Sequence, residues 1–420
     1  MTVRGDGCVY LVAVGTHGDI LPVIALGAAL TKRGVPVSLA APAPFGPLAA
    51  RAGLTCHPLG THGDFDDAVN AASLWHPIRG ARSLFAVVAR AAEPTYRWLE
   101  ENCRPGVDVV VASTLALGAR VAQDRLGLSL VTLHLMPMLI ESRLAPPRLP
   151  GLPLPELLPA RWRHWLGRGA DDFVIGPAVL PRLNAFRQSL SLPPVKRLRH
   201  WWHSPQRILL ATPGWYASPQ PDWPVQLVQV GFPFADLYGD TDRLAPDLTA
   251  FLEAGAPPLV FTYGSAMGLA HGFFRTAVGI CRQLGMRGIL LTSRVEQIPS
   301  DLPDGIYHAP YAPLSQLLPR CAALVHHGGI GTVAQALAAG CPQLIVPVAF
   351  NHADEARRVA RLGVGAALSR RRFTRRRAGR VLGRLLTSES VTAACAEARA
   401  RIARENGIET ACDAVERMLA

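Results

Sequence analysis

Two doubly wound α/β domains in series are the fold class that this 420-residue sequence predicts. Three observations predict it. Short apolar runs of strand length alternate with alanine- and leucine-rich helical stretches. Glycine turns join strand to helix, and the whole pattern starts twice, near residue 8 and again near residue 258. At ~150 residues per domain the length allows two or three domains. Two similar halves of roughly 200 residues sit near the upper end of ordinary domain size.

The first half opens with Cys8–Val14 (CVYLVAV), a strand, then helix Leu21–Arg33 and a second buried strand, Val35–Ala41. Strands that are apolar at nearly every position are covered on both faces, as in a parallel sheet. The pattern repeats as strand Asp108–Ala112, helix Ala116–Leu126 and strand Leu128–Leu133. The Pro- and Leu-rich stretch 136–165 reads as loops and short helices over this domain, or as an apolar wall for an acceptor. Phe234–Leu248 is polar, acidic and turn-rich and reads as the linker. The expected division is therefore 1–235, a linker at 236–250, and 251–420, with the last helix free to pack back on the first domain. The second half starts at strand Pro258–Thr262, turn Tyr263-Gly264-Ser265, helix 272–284 and strand Gly288–Thr292. It continues with strand Ala322–Val325, helix Gly331–Ala339 and strand Gln343–Pro347.

Hydrophobic residues make up 49% and charged residues 18%, which excludes global disorder and provides for a large core. The formal charge is +12, which invites an anionic partner. Lys32 and Lys196 are the only lysines, and arginine rises together with 38 Gly and 36 Pro, so coding bias explains much of the surplus. The eight cysteines are scattered, with no CxxC pair and no zinc-site spacing, so free thiols in a reducing compartment are expected. The run Val9–Val14 is too short for a signal-peptide core, and no apolar stretch approaches ~18 residues. A cytoplasmic protein is expected, with peripheral contact at the membrane face left open.

Val325-His326-His327-Gly328-Gly329-Ile330-Gly331-Thr332 follows a strand and opens a helix. Glycines let backbone approach a ligand, and free N–H groups with the helix dipole favour an anion, most economically a pyrophosphate. The spacing is neither GxGxxG nor GxxxxGK[ST]. Gly-Thr-His-Gly-Asp occurs at 15–19 and again at 60–64. The first copy follows a buried strand and opens a helix, so it reads as a site; the second reads as loop chemistry or coincidence.

His327-Gly328-Gly329-Ile330-Gly331-Thr332, followed by Gly340, Pro342 and Pro347, resembles the donor signature of the family 1 nucleotide-sugar glycosyltransferases. That resemblance runs from about Val9 to about Gly365 and implies the GT-B fold, α/β with two facing Rossmann-like doubly wound parallel-sheet domains. A closer likeness, over Ala116–Ala122, Val195–Phe232, Pro258–Ser265 and Tyr311–Pro347, is to the rhamnosyltransferases of rhamnolipid synthesis. Trp202-His203-Ser204-Pro205-Gln206 and Asp222-Trp223-Pro224 carry it.

The resemblance implies roles for particular residues. His327 and the turn Gly328, Gly329, Gly331 and Thr332 hold the donor diphosphate, with Ser265 on the same phosphates. Tyr311 matches a position where relatives stack an aromatic on the base. Gln335 stands where many UDP-sugar enzymes carry glutamate, and a neutral amide favours a deoxyribose donor such as a dTDP-sugar. Asn351-His352 replaces the usual Asp-Gln that grips sugar hydroxyls and can still hydrogen-bond. Gly15–Pro22 resembles the acceptor loop, with Asp19 as general base and His17 as the alternative; a plain helix cap is the bland reading of Asp19. The stretch Asp108–Thr114 ends in Ala112-Ser113 and offers no carboxylate partner there.

The expected activity is thus an inverting transferase needing no cofactor and no metal. It moves a sugar, foremost L-rhamnose from dTDP-L-rhamnose, to the hydroxyl of an amphiphilic lipid such as a hydroxyalkanoyl-hydroxyalkanoate. A UDP- or dTDP-sugar transferase acting on a sterol, carotenoid or macrolide is the alternative. A non-catalytic lipid-binding subunit with a degenerate donor site is the alternative outside enzymes. A nucleic-acid partner is not expected, although Lys196–Arg207 interleaves cations with Trp201 and Trp202. The likeness at Trp202–Gln206 makes that stretch part of the first domain, while Arg370–Arg377 reads as a solvated helix face or, alternatively, as contact with anionic lipid headgroups or a partner enzyme.

Overall fold

The computed structural model describes residues 7–70, 74, 76, 79–148, 158–234, 243–264 and 270–419. The chain divides into two compact units, Met1–Ala235 with Asn406–Ala420, and Asp236–Glu405.

The first unit is built on seven parallel strands: β1 Val9–Val12, β2 Val37–Ala41, β3 Thr55–Pro58, β4 Val109–Ser113, β5 Ser129–His134, β6 Arg207–Leu210 and β7 Leu227–Gln229. Their order is β3-β2-β1-β4-β5-β6-β7. The direction of winding reverses between β1 and β4, and ligands of such sheets sit beyond the carboxyl ends of the strands at that crevice. β4 is buried at every position and β1 at all but Tyr10. Each fully buried Val or Leu stabilises the unit by about 1.5–3 kcal/mol relative to exposure. Edge strand β3 is largely exposed.

The second unit has six parallel strands: β8 Leu259–Thr262, β9 Gly288–Leu291, β10 Ile306–Ala309, β11 Ala323–His326, β12 Gln343–Ile345 and β13 Gly365–Ala367. The order β10-β9-β8-β11-β12-β13 places its reversal between β8 and β11. Both glycine motifs singled out in the sequence, after β1 and after β11, therefore follow a strand that flanks a reversal.

Every strand and helix expected above forms, with small shifts at the ends. The largest shift is at the first helix, which spans His17–Lys32 and so starts within the Gly-Thr-His-Gly-Asp motif. The second copy of that motif is no loop: it opens the helix His62–Asn70. Of the expected linker, 235–242 lies outside the described residues, and Pro246–Glu253 is a helix rather than linker, with Leu248 fully buried on its inner face. The final helix, Gly407–Leu419, lies in the first unit, where Arg33 pairs with Glu409, with Asp413 at 2.7 Å and with Glu416 at 3.0 Å. These carboxylates recur at helical spacing, so one guanidinium meets all three.

The basic, Trp-bearing stretch 196–207 is built into the first unit, with Lys196 and His200 exposed but Arg199 and Trp202 buried. Trp202 is in the core and Arg199 is buried, its Nη1 donating to Met138 O at 2.7 Å. Trp201 Nε1 donates to Asp124 at 2.8 Å, with the Arg120 and Arg187 guanidinium groups 5.4 and 5.0 Å from its ring.

Candidate active site

β1 runs into a turn that only glycine accommodates. Gly15 has φ +137°, and a Cβ there would lie 2.3 Å from Asp19 Oδ2. Asp19 is the third residue of the His17–Lys32 helix, and its Oδ2 accepts the backbone N–H of Thr16 at 2.9 Å. That is half of a capping box, so the bland reading of Asp19 holds in part. Its position adds something a cap does not need. Half-buried beside the central strands, its carboxyl is pushed up to about 6 by desolvation, against the lowering effect of the Thr16 bonds.

His17 opens the same helix and packs edge-on against Phe45, ring centroids 4.9 Å apart, and burial lowers its pKa. β4 ends at Ser113, whose Oγ accepts Val14 N–H at 3.1 Å and so ties the two central strand ends together. Asp108, the one carboxylate of that stretch, lies before the strand at its amino end, held by Cys8 N–H at 2.8 Å and Arg104 N–H at 2.7 Å.

A polar chain that sequence reasoning missed lies at the ends of β4 and β5. Trp202 Nε1 donates to His203 Nε2 at 3.3 Å, His203 Nδ1 is 2.8 Å from His134 Nε2, and His134 Nδ1 is 2.8 Å from Thr114 Oγ1. Thr114 Oγ1 in turn donates to Leu133 O at 3.4 Å. The indole can only donate, so every later donor is determined: His203 carries its proton on Nδ1, and so does His134. Both rings are neutral, and burial drives His203 down to about 3 and His134 well below its ordinary value. A histidine at the end of an apolar strand was the available signal; its partner lies 69 residues away.

In the second unit, β11 ends at His326, fully buried. His326 Nε2 donates to Gln343 Oε1 at 3.0 Å, and its Nδ1 accepts Gly328 N–H at 3.3 Å. Sequence reasoning gave this residue no role of its own. It fixes the turn that follows, and desolvation lowers it to about 3. Gly328 has φ +104°, and a Cβ there would meet Ile345 Cγ2 at 2.8 Å and His352 O at 3.2 Å. Gly329 caps the helix Ile330–Ala339, its C=O accepting Val333 N–H at 3.0 Å. The first N–H groups of that helix have no partner within it and carry its positive end. Gly331 is exposed, and a Cβ there would meet no protein atom within 4 Å, so the protein itself gives no reason for glycine at that position.

His327 packs edge-on against His352 at 4.8 Å and is lowered to about 4 by burial. Its Nδ1 is buried with no hydrogen-bond partner among the described residues. Asn351 and His352 sit beside it but are buried, at 5% exposure each. Asn351 Nδ2 donates to Glu355 Oε1 at 3.3 Å, and His352 Nδ1 accepts Ala349 N–H at 3.3 Å. Both therefore help to hold the loop after β12. Tyr311, after β10, and Gln335 and Thr332, on the Ile330–Ala339 helix, are half-buried; Ser265 lies outside the described residues. Among the described residues no group of three or more His, Cys, Asp or Glu has metal-holding geometry.

Comparison with known proteins adds to this geometry. Residues 9–142 match the glycosyltransferase family 28 N-terminal domain, and residues 288–416 match the C-terminal domain of erythromycin biosynthesis protein CIII-like proteins. O-mycaminosyltylonolide 6-deoxyallosyltransferase of Streptomyces fradiae is 29% identical over 420 residues, covering 97% of this chain and 96% of that one. The glycotransferase of kitacinnamycin superposes with a TM-score of 0.76 at 20% identity, over 99% of each chain. Spinosyn rhamnosyltransferase SpnG complexed with thymidine diphosphate superposes with a TM-score of 0.66 at 21% identity, over 96% of this chain and 98% of that one. The two parallel-sheet, Rossmann-like units are thus an architecture shared along the whole length of known proteins.

Proposed function

We propose that this chain, a nucleotide-sugar glycosyltransferase of the GT-B type, moves a deoxysugar from a dTDP-sugar to the hydroxyl of a largely apolar acceptor with inversion. The observation that carries the donor half is the turn Gly328–Thr332. It offers helix N–H groups that have no partner within the helix, a positive helix end and an open face over Gly331, which together suit a diphosphate. Asp19 takes the proton of the acceptor hydroxyl. The oxygen forms its bond to the anomeric carbon as the bond from that carbon to the diphosphate breaks, and the departing dTDP carries its negative charge onto the loop. A carboxyl near 6 is ionised at neutral pH yet a stronger base than an ordinary one, which suits this task. His17 stands as the alternative base. This reading assigns the leaving-group charge to the loop without a metal ion, so transfer is expected to survive a chelator.

Thymidine diphosphate is the nucleotide bound to one structural relative, and Gln335 supplies an amide where a ribose-binding carboxylate is not needed. The acceptor we favour is a macrolide-type polyketide alcohol, supported by the named substrate of the deoxyallosyltransferase relative. Rhamnosylation of a hydroxyalkanoyl lipid on the cytoplasmic membrane face is the second reading, resting on the sequence likeness at 202–206 and 222–224. Those segments do scaffold work: Ser204 Oγ donates to Leu130 O at 2.7 Å, and Asp222 Oδ2 accepts Arg143 N–H at 2.6 Å. They therefore speak for a shared frame more than for a shared acceptor.

The test is calorimetry with dTDP and UDP, followed by mass spectrometry of dTDP- and UDP-sugars with a macrolide aglycone or a hydroxyalkanoyl-hydroxyalkanoate. His327→Ala is expected to weaken dTDP by about 10-fold, as loss of one hydrogen bond to a charged group does. Unchanged affinity would move the diphosphate elsewhere, and sugar transfer only from UDP donors would overturn the donor assignment.

A further inference from the structure

The helix Ala160–Ala170 runs directly into a π-helical turn, Asp171–Ile175, and this continuous element carries its largest aromatic residues on the outside. Trp162 is 52% exposed, Trp165 65% and Phe173 76%. Side chains of this size usually bury most of their area, so three on one element mark a surface with a use. The first two are one helical turn apart, and the third follows about three turns after Trp162. The opposite side of the element is anchored. His164 Nε2 lies 3.6 Å from the Glu141 carboxylate, and Asp171 pairs with Arg199 Nε at 2.6 Å.

Among the described residues, the helix itself carries charge of one sign. The helix carries Arg161, Arg163 and Arg168 and no carboxylate. Arg82 adds a fourth cation from the helix Arg79–Asn102, its Nη2 donating to Phe173 O at 3.3 Å. The neighbouring acids are engaged by other cations: Asp171 by Arg199, Asp172 at 3.8 Å from Arg197, and Glu141 by Arg197 at 3.3 Å and His200 at 3.0 Å.

We propose that this face docks on the surface of an anionic lipid bilayer. The three rings sit at the boundary of headgroups and acyl chains, while Arg82, Arg161 and Arg168 meet lipid phosphates. Tryptophan interleaved with arginine matches a phosphate surface better than it matches a protein partner, whose apolar centre is depleted of charge. No helix among the described residues is long and apolar enough to cross a membrane, so the contact is interfacial. The arginine run at 370–377 lacks this combination: Arg375, Arg376 and Arg377 form an exposed first turn, and the adjacent Phe373 is buried against Phe273. The proposal is independent of the acceptor, because it concerns where the enzyme works.

Flotation of the full chain with phosphatidylglycerol-containing vesicles, against pure phosphatidylcholine, tests it. Binding is expected to the anionic vesicles alone and to weaken as salt rises. Changing Trp162→Ser, Trp165→Ser and Phe173→Ser together should lower it at least ~10-fold. Changing Arg161→Gln and Arg168→Gln together should lower it by about fivefold per arginine. Protection from heat by dTDP reports that each variant is folded. Should the aromatic triple variant fail that control, Trp165→Ser alone is expected to lower binding measurably. The proposal falls if wild type does not float with anionic vesicles, floats equally with neutral ones, or floats undiminished after the aromatic changes. A dimer in solution that the aromatic changes dissociate would assign the face to a second copy and equally end the proposal.

Discussion

The pentapeptide Gly-Thr-His-Gly-Asp occurs twice in the first unit, and both copies fold the same way locally. Each glycine has positive φ, +137° at Gly15 and +81° at Gly60, and each aspartate accepts its threonine's N–H, at 2.9 Å for Asp19 and 2.8 Å for Asp64. Each opens a helix. The carboxyls nevertheless move in opposite directions. Asp64 is exposed, and hydrogen bonds from the Thr61 side chain and backbone hold its carboxyl below the ordinary range. Asp19 is half-buried, and desolvation outweighs the same bonds and lifts it to about 6. Identical sequence thus makes a cap after edge strand β3 and a cap that can also serve as a base after central strand β1. The strand's place in the sheet makes the difference, because it decides how much water reaches the carboxylate.

Breaking the comparison at its aspartates should give the largest contrast. Asp19→Asn is expected to lose transfer by at least ~100-fold, the low end of general-base contributions, with dTDP affinity retained. Asp64→Asn should transfer at the wild-type rate. Equal losses in the two variants would remove Asp19 from the chemistry and leave both residues as caps.

Adding one methyl group to each glycine should separate the turns less sharply. At Gly15 a Cβ meets three atoms of Asp19 within 2.7 Å, and φ is forbidding, so Gly15→Ala is expected to cost about 1–3 kcal/mol and to reduce transfer by displacing the carboxylate. At Gly60 the nearest atom is the far end of Asp64, 3.3 Å away, so Gly60→Ala should cost about 1 kcal/mol, measured by denaturant unfolding, without touching the rate.

The smallest effect is the pH dependence of stability. A carboxyl whose folded pKa is raised stabilises the protein while protonated, and that stability is lost as pH rises through about 6. Asp19→Asn should therefore unfold at higher denaturant than wild type above about pH 6, by about 1–2 kcal/mol after allowing for partial exposure, and show no gain below pH 4. The rate has the opposite sign, since a base works only when ionised: kcat/KM should fall as pH drops through about 6. A rate limb near pH 4, about the range of an ordinary carboxylate, would mean that burial does not raise Asp19.

Much of this was legible in the sequence because it is local. An apolar run such as Val109–Ser113, followed by Ala- and Leu-rich turns of helix, carries its own periodicity, and the strands and helices of both units lie within a few residues of where that periodicity puts them. The phosphate-type turn at 327–332 was visible for the same reason. The donor–acceptor chain from Trp202 through His203 and His134 to Thr114 was not, since no local pattern pairs residues 69 apart. Nor could the sequence tell that Trp201 and Trp202 lie inside while Trp162 and Trp165 lie outside; by composition both stretches are tryptophan among arginine.

By itself, then, the sequence determined the elements, the two glycine turns and the residues standing in them, all properties of neighbouring residues and backbone dihedrals. Tertiary structure alone decided how much water reaches each Gly-Thr-His-Gly-Asp, which way each carboxyl titrates, and that Asn351 and His352 turn inward. It also decided that the last helix returns to Arg33 in the first unit. The physical reason is common to all four: burial and charge pairing depend on atoms brought in from distant sequence, and a residue's type does not report its distance from water.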